Sequence, residues 1–328
     1  MALAVHFCHP PQPDHLALLA RLLDPGLTLT AGAELPTGPP VEILVCARPR
    51  RQQLAACPSL RAVIIPFAGP PDETLALMAD FPGISLHNLH HNAAATAETA
   101  LGLLLAAAKF ILPVDRSFRS HDWTPRYEPP PIAILAGRTA LILGYGAIGR
   151  RLAAALAALE VRVLATRRGA ETVTDDGVAA IHPPGHLHTL LPQADILAIT
   201  LPQTAETTGL IGAAELALLP PGALFVNVGR GPIVDEAALY QALRSGRLLA
   251  AGIDVWWRYP DDHASRSHTP PSAFPFHELD NVVLSPHRGG MGGAEAIETL
   301  RYTALAGLLN AAARGEAIPN RIDLGRGY

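Results

Sequence analysis

Short apolar runs, bounded by proline, glycine and polar residues, alternate along this chain with longer segments that are apolar at helical spacing. In the first third, VEILVCA (41–47), RAVIIPFAG (61–69) and ISLHN (84–88) predict buried strands, and Asp14 to Leu23 and Asp72 to Ala79 predict helices. Such alternation is the mark of a parallel sheet with helical crossovers, here a small α/β domain. AAATAETALGLLLAAAKFIL (93–112) predicts one long helix leaving that domain, ended or kinked by Pro113. The polar, proline-rich stretch 116–131 predicts a loop or arm. A second series follows, with strands at TALILGY (139–145), VRVLAT (161–166), ILAITLP (196–202), ALFVNVG (223–229), LAAGIDV (249–255) and NVVLSP (281–286). Helices fit between most of them, as at Ala213 to Leu218 and Asp235 to Ser245. A last helix, Ala294 to Arg314, follows a glycine-rich hinge at Gly289 to Gly293 and returns to the first domain. The expected division is 1–94 with 291–328, and 95–290 with the linking helix and arm. No internal repeat is present.

Composition narrows the function. The chain has 328 residues, 49% of them hydrophobic and 16% charged, enough for two well-packed domains. A net charge of −4 without a basic run argues against nucleic acid as a partner. Lys109 is the only lysine and lies in an apolar helical run, so Schiff-base catalysis is not expected. Cys8, Cys46 and Cys57 match no metal-binding spacing and read as reduced thiols. The N-terminus lacks the basic start and apolar core of a signal peptide, and the longest apolar run, Ala100 to Ala108, is short of the ~20 residues of a membrane span. The expectation is a cytoplasmic protein with no membrane partner and no metal.

One stretch carries specific chemistry, LILGYGAIGRRLAAALAALEVRVLATRRG (141–169). Gly144, Gly146 and Gly149 follow a strand and open an Ala/Leu-rich helix, the context in which a G-x-G-x-x-G pattern holds a dinucleotide. The glycines permit a tight turn and let backbone approach a pyrophosphate, while the helix N-terminus offers N–H groups and positive potential. At the end of the next strand an NAD site places an acid on the ribose hydroxyls. Here Thr166 is followed by Arg167, eighteen residues after Gly149, and by Arg168. Guanidinium groups match phosphate oxygens and stack on adenine, so the pair predicts NADP(H) in preference to NAD(H), with Thr166 adding a hydroxyl.

From this loop onward the chain resembles the D-isomer-specific 2-hydroxyacid dehydrogenases. ADILAITLPQTAETTGLI (194–211), GALFVNVGRGPIVDEAAL (222–239), AGIDV (251–255) and NVVLSPHRGG (281–290) carry the likeness in order, and PFAG (66–69) and NAAATAETALGLLLA (92–106) carry it more loosely. The resemblance implies two Rossmann-like domains (doubly wound parallel sheets), an active site in the cleft between them and a homodimer formed through the dinucleotide-binding domain. It implies that Arg230 binds substrate, that His287 is catalytic and that the backbone of Phe67, Ala68 and Gly69 holds the substrate carboxylate. It also implies that Tyr145, Ala147, Ile148, Leu201, Pro202, Thr207, Val228, Gly229, Asp254, His287 and Gly289 join the glycines around the dinucleotide, with Asp254 at the nicotinamide carboxamide.

The chemistry reads the same way. A 2-keto acid presents a carboxylate and a ketone, and Arg230 can hold both and polarise the carbonyl. A histidine has the pKa to protonate the alkoxide that develops when hydride arrives. The chain departs from the family pattern at one point. Most members carry a glutamate a few residues after the GxDV strand, paired with the histidine; here the segment is DVWWRYP and the matching position is Tyr259. A phenol orients the imidazole without supplying a full charge, which leaves His287 less basic; alternatively Tyr259 is a pocket wall and Asp261 or Asp262 takes the role. His182, His186 and His188, in HPPGHLH, read as solvated loop residues for want of a fourth metal ligand, and His90 and His91 as hinge residues. The expected function is NADP(H)-dependent reduction of a small 2-keto acid such as glyoxylate or hydroxypyruvate. The alternative is a dinucleotide-binding sensor or corepressor that has lost turnover.

Overall fold

The computed structural model describes residues 2–37, 40–290 and 294–327. Met291, Gly292 and Gly293 of the expected hinge lie outside the described residues. The chain divides into two compact units, Met1–Asn92 with Met291–Tyr328, and Ala93–Gly290.

The first unit is a five-stranded parallel sheet of β1 (Leu3–Phe7), β2 (Leu27–Ala31), β3 (Ile43–Val45), β4 (Ala62–Ile64) and β5 (Ser85–His87), in the order β2-β1-β3-β4-β5. Side chains alternate between its faces. Ile43, Val45 and Ile64 pack with Leu305 and Leu309 of the C-terminal helix Glu295–Ala313, whereas Leu44, Val63 and Leu86 pack with Met78 of the helix Asp72–Ala79. Cys8, Cys46 and Cys57 are buried free thiols in the second cluster. Neither β1 nor β2 follows from the apolar pattern. In β1, His6 interrupts the apolar run; it is nevertheless buried, because Thr30 Oγ1 and Gly32 O satisfy its two ring nitrogens at 2.9 Å each. In β2 threonines alternate with apolar residues in a half-exposed edge strand. The strand expected over 61–69 is only Ala62–Ile64, since Pro66 cannot donate to a ladder.

The second unit holds an eight-stranded sheet. Its strands are β6 (Thr139–Leu143), β7 (Arg162–Thr166), β8 (Thr174–Asp175), β9 (Ala179–His182), β10 (Ile196–Ile199), β11 (Ala223–Asn227), β12 (Leu248–Ile253) and β13 (Val282–Leu284). They run in the order β13-β12-β11-β10-β6-β7-β9-β8, and only β8 is antiparallel to its neighbour. The strand order reverses direction at β6, flanked by β10 and β7, the kind of point at which open α/β sheets leave a crevice at the strands' carboxyl ends. One face is covered by the helices Ala93–Ala108 and Ala147–Ala158, and the other by Ala213–Leu218 and Glu236–Arg244.

The long helix expected over 93–112 stops at Ala108, and a second helix, Ile111–Arg119, departs at 66°. In a continuous helix Pro113 would press its ring on the Lys109 carbonyl and leave it without a donor. The chain instead turns at Phe110, in the left-handed region at φ 52°, and Pro113 falls in the first turn of the new helix, where no N–H is needed. Lys109 Nζ donates to Ala133 O at 2.7 Å. The segment expected as a loop over 116–131 is therefore partly helical, through Arg119 and again over Thr124–Tyr127. No single helix among the described residues is long and apolar enough to cross a membrane.

Candidate active site

The glycine loop joins β6 to the helix Ala147–Ala158, with Gly144 at φ 102° and Gly146 at the helix N-cap. Gly149 is fixed by space: a Cβ there would lie 2.1 Å from the Gly144 carbonyl oxygen, so only glycine lets the helix start so close to the strand end. Thr200 Oγ1 donates to Gly144 O at 2.7 Å and ties the loop to the end of β10. Tyr145 is buried; its hydroxyl donates to Asp176 at 2.7 Å, and the Arg150 guanidinium lies 5.4 Å from its ring centre. A helix N-terminus after a glycine turn, with no side-chain cap bond among the described residues, is a cradle that fits a dinucleotide pyrophosphate.

Thr166 closes β7 and is buried. Arg167 is exposed and Arg168 half-buried, and with Gly169, Ala170, Glu171, Thr172, Thr174 and Ile181 they line an open recess of about 460 Å³. A phosphate-sized group can enter such a recess and meet both arginines.

Leu201, Pro202 and Thr207 form the connection after β10, where Thr207 Oγ1 donates to Pro202 O at 2.8 Å. Val228 and Gly229 continue β11, Val228 N–H bonding Ile199 O at 3.1 Å. The turn that presents Arg230 is held by Asn227, which sequence reasoning passed over. Its buried side chain accepts from Gly229 N at 2.9 Å and donates to Arg230 O at 3.1 Å. The Arg230 guanidinium donates to Gly229 O at 2.7 Å and is half-exposed.

Asp254, at the end of β12, is buried and both its oxygens face the turn after β13. One accepts from the Ser285 hydroxyl and from Arg288 N at 2.7 Å, the other from Gly289 N at 2.8 Å. A Cβ on Gly289 would lie 2.8 Å from that carboxylate. Between these anchors His287 takes the left-handed conformation at φ 57°, strained for a residue with a side chain. Asp254, expected as a cofactor contact, is here the clamp of the histidine turn. Ser285 is a further residue missed in the sequence; its carbonyl accepts from Trp256 Nε1 at 2.8 Å.

Tyr259 meets the histidine. Its hydroxyl lies 2.9 Å from His287 Nδ1 and accepts from Trp256 N at 3.1 Å. The residue is 44% exposed, while shelter at its hydroxyl raises the phenol pKa. Burial lowers the His287 pKa below the ordinary histidine value, the positive charge of Arg230 lowers it further, and the Asp254 carboxylate opposes both. Arg230 also lowers the Tyr259 pKa, so the ends of β11, β12 and β13 bring guanidinium, phenol and imidazole within electrostatic reach of one another. Asp262 is exposed and turns its carboxylate to Ser265, away from this partnership.

In the first unit, Phe67, Ala68 and Gly69 form a half-buried loop after β4. Asn88 Nδ2 donates to Ala68 O at 2.6 Å and Leu89 N to Phe67 O at 3.2 Å, while the amides of 67–69 make no bond among the described residues. His90 is exposed; His91 is buried with neither ring nitrogen bonded among the described residues, and burial together with Arg301 lowers its pKa to about 4. Of the three histidines read as a solvated loop, His182 instead ends β9 with buried ring nitrogens, and exposed His188 bonds Glu215 at 2.9 Å. No metal-ligating cluster occurs among the described residues.

Known proteins share this organisation. Residues 101–289 match the family model described as D-isomer specific 2-hydroxyacid dehydrogenase, NAD binding domain. A D-3-phosphoglycerate dehydrogenase of Archaeoglobus fulgidus is 38% identical over 201 residues, 60% of this chain but only 35% of the relative's length. A glycerate dehydrogenase of Methylorubrum extorquens is 32% identical over 243 residues, 73% of this chain and 72% of the relative. Among solved structures, a D-isomer specific 2-hydroxyacid dehydrogenase from Xanthobacter autotrophicus Py2, in complex with NADPH and MES, superposes with a TM-score of 0.79 over the whole of both chains at 28% identity. With more than half its length matched by the family model, and with the family's glycine loop, arginine turn and histidine turn in place, the chain belongs to the D-isomer-specific 2-hydroxyacid dehydrogenase family.

Proposed function

We propose that this protein is an NADP(H)-dependent reductase of small 2-keto acids of the glyoxylate or hydroxypyruvate type. The observation that carries the reading is the convergence of Arg230, His287 and Tyr259 from three neighbouring strand ends, with His287 held by the Asp254 clamp. When bound, the dinucleotide supplies the hydride. The chain's own residues do the rest. Arg230 holds the carboxylate and polarises the ketone. Protonated His287 gives its Nε2 proton to the carbonyl oxygen as the alkoxide forms, and Tyr259 keeps the ring aimed. Retention of both Arg230 and His287 favours an enzyme over a dinucleotide sensor.

Cofactor choice rests on the recess. Arg167 and Arg168 stand where an acid would repel a 2′-phosphate, and the similar Xanthobacter structure was solved with NADPH. The substrate class draws on the relative named for glycerate. We further propose a homodimer formed through the second unit: Ile111, Leu112, Phe118, Trp123, Tyr127 and Ile134 are exposed on the arm, an apolar surface of the kind that marks an interface. The deciding experiment mixes protein with NADPH or NADH and a panel of 2-keto acids and follows loss of the reduced nicotinamide. Equal or better use of NADH overturns the cofactor assignment; tight NADPH binding with no turnover on any acid overturns the enzymatic one.

A further inference from the structure

The proton on the Tyr259 hydroxyl has a defined destination. The oxygen already accepts from Trp256 N at 3.1 Å, and the only other group within hydrogen-bond distance among the described residues is His287 Nδ1, at 2.9 Å. If Nδ1 carried a proton in the neutral ring, two donors would point at the phenol oxygen and the hydroxyl proton would have no protein acceptor. With the hydroxyl donating to a bare Nδ1, every group is used once. We infer that Tyr259 is a positioning residue that fixes neutral His287 as the Nε2–H tautomer, so that the histidine presents an N–H toward substrate whether or not it is charged. A carboxylate in the same place would do the opposite, because it can only accept: it would hold the proton on Nδ1 and leave a lone pair on Nε2.

This deepens the proposed function and rests on it for its kinetic consequence. In reduction the imidazolium has protons on both nitrogens, and Nδ1–H then donates to the phenol oxygen. Once Nε2 has protonated the alkoxide, the remaining proton is on Nδ1. The ring returns to its resting form by taking a proton from solvent at Nε2 and releasing the one on Nδ1, and the Tyr259 hydroxyl turns back to donate. Tyr259 does not itself give up its proton to the reaction, since its shelter disfavours the phenolate. Above the histidine's pKa the neutral ring still donates a hydrogen bond to a ketone but has no proton to transfer. Binding is kept and turnover is lost. Among the described residues, the charges of Arg230 and Asp254 act on the ring, and the Tyr259 hydroxyl bonds it.

The test uses full-length protein labelled with ¹⁵N in histidine, with His287 assigned by difference against His287→Gln. At a pH where the ring is neutral, long-range proton–nitrogen correlation is expected to show a protonated Nε2 and a bare Nδ1 in the wild type. Tyr259→Glu is expected to move the proton to Nδ1, and Tyr259→Phe to show a ring exchanging between the two. Kinetically, KM for the keto acid should stay level as pH rises while kcat falls in the wild type. In Tyr259→Glu, KM should rise with pH, approaching about tenfold per unit as the protonated form disappears. A wild-type ring protonated at Nδ1, or identical ring signals in wild type and Tyr259→Phe, overturns the inference. The nitrogen spectrum needs no turnover. An Nε2–H ring in a protein that reduces no 2-keto acid sinks the proposed function alone, and an Nδ1–H ring in an active reductase sinks this inference alone.

Discussion

Replacing Asp254 by asparagine keeps its volume and removes its charge. The carboxylate accepts from the Ser285 hydroxyl, Arg288 N and Gly289 N, and both Asp254 and Gly289 are buried. An asparagine offers one acceptor oxygen and one NH₂. If the oxygen keeps Ser285 and Arg288, the NH₂ faces the Gly289 amide at a distance set by the present 2.8 Å contact, donor against donor. One charge-assisted bond is then lost outright and a buried N–H is left unsatisfied, at about 1–3 kcal/mol, and the two remaining bonds weaken from charged to neutral. The turn also holds His287 at φ 57°, a conformation costing about 1–2 kcal/mol that these bonds must offset. Together these predict a loss on the order of 3–5 kcal/mol, which for a unit of this size lowers the thermal midpoint by roughly 10 °C. Because the loosened turn carries His287, the proposed proton donor, kcat/KM should also fall about 10²-fold or more below the melting range. Scanning calorimetry and steady-state kinetics on the same preparation check both. A variant that melts within about 2 °C of the parent and keeps its kcat/KM would refute the clamp.

Further outcomes follow from other sites. Replacing Arg167 and Arg168 together by alanine should raise KM for NADPH by about 10–100-fold, the worth of one or two charge-assisted bonds, and leave KM for NADH nearly unchanged. Arg230→Lys, which would give up the proposed two-point clamp for a point donor, should cost about 10²–10³-fold in kcat/KM with little change in NADPH affinity by fluorescence titration. His91, whose pKa burial and Arg301 depress to about 4, binds fewer protons in the folded than in the unfolded chain between that value and the unfolded value of about 6.5. Stability should therefore fall as pH drops through that window, by at most about 3 kcal/mol, and urea titrations of His91→Asn should show a shallower loss. Trp123→Asp with Tyr127→Asp should shift the sedimentation of the proposed dimer to that of a monomer without unfolding the chain, as both side chains are exposed.

Much of the frame was legible because it follows from periodicity and punctuation. The alternation of apolar runs with helical segments gave the parallel sheets, and Gly149 announced a steric need that the 2.1 Å approach to Gly144 O makes concrete. What stayed hidden depends on partners distant in sequence. His6 looks unfit for a buried strand until Thr30 and Gly32 complete its bonds, and Pro113 looks like a helix stop, although the chain breaks upstream, at Phe110. The strand-end positions of Arg230 and His287 could be read from the sequence, but the side chains that hold their turns could not. Asn227 and Asp254 act through hydrogen bonds to backbone, which leave no trace in spacing or hydropathy.

The departure at Tyr259 shows how the two kinds of information combine. The motif says only that a carboxylate is missing, and a missing carboxylate alone implies a less basic histidine, the direction that burial and Arg230 support. The sequence cannot say which way a hydrogen bond runs. That follows from a backbone contact, the Trp256 amide on the phenol oxygen, which leaves the hydroxyl proton to the imidazole. The same substitution that weakens the histidine as a base thereby keeps it a hydrogen-bond donor in both of its charge states. A fall in turnover with rising pH therefore need not bring a loss of keto-acid binding.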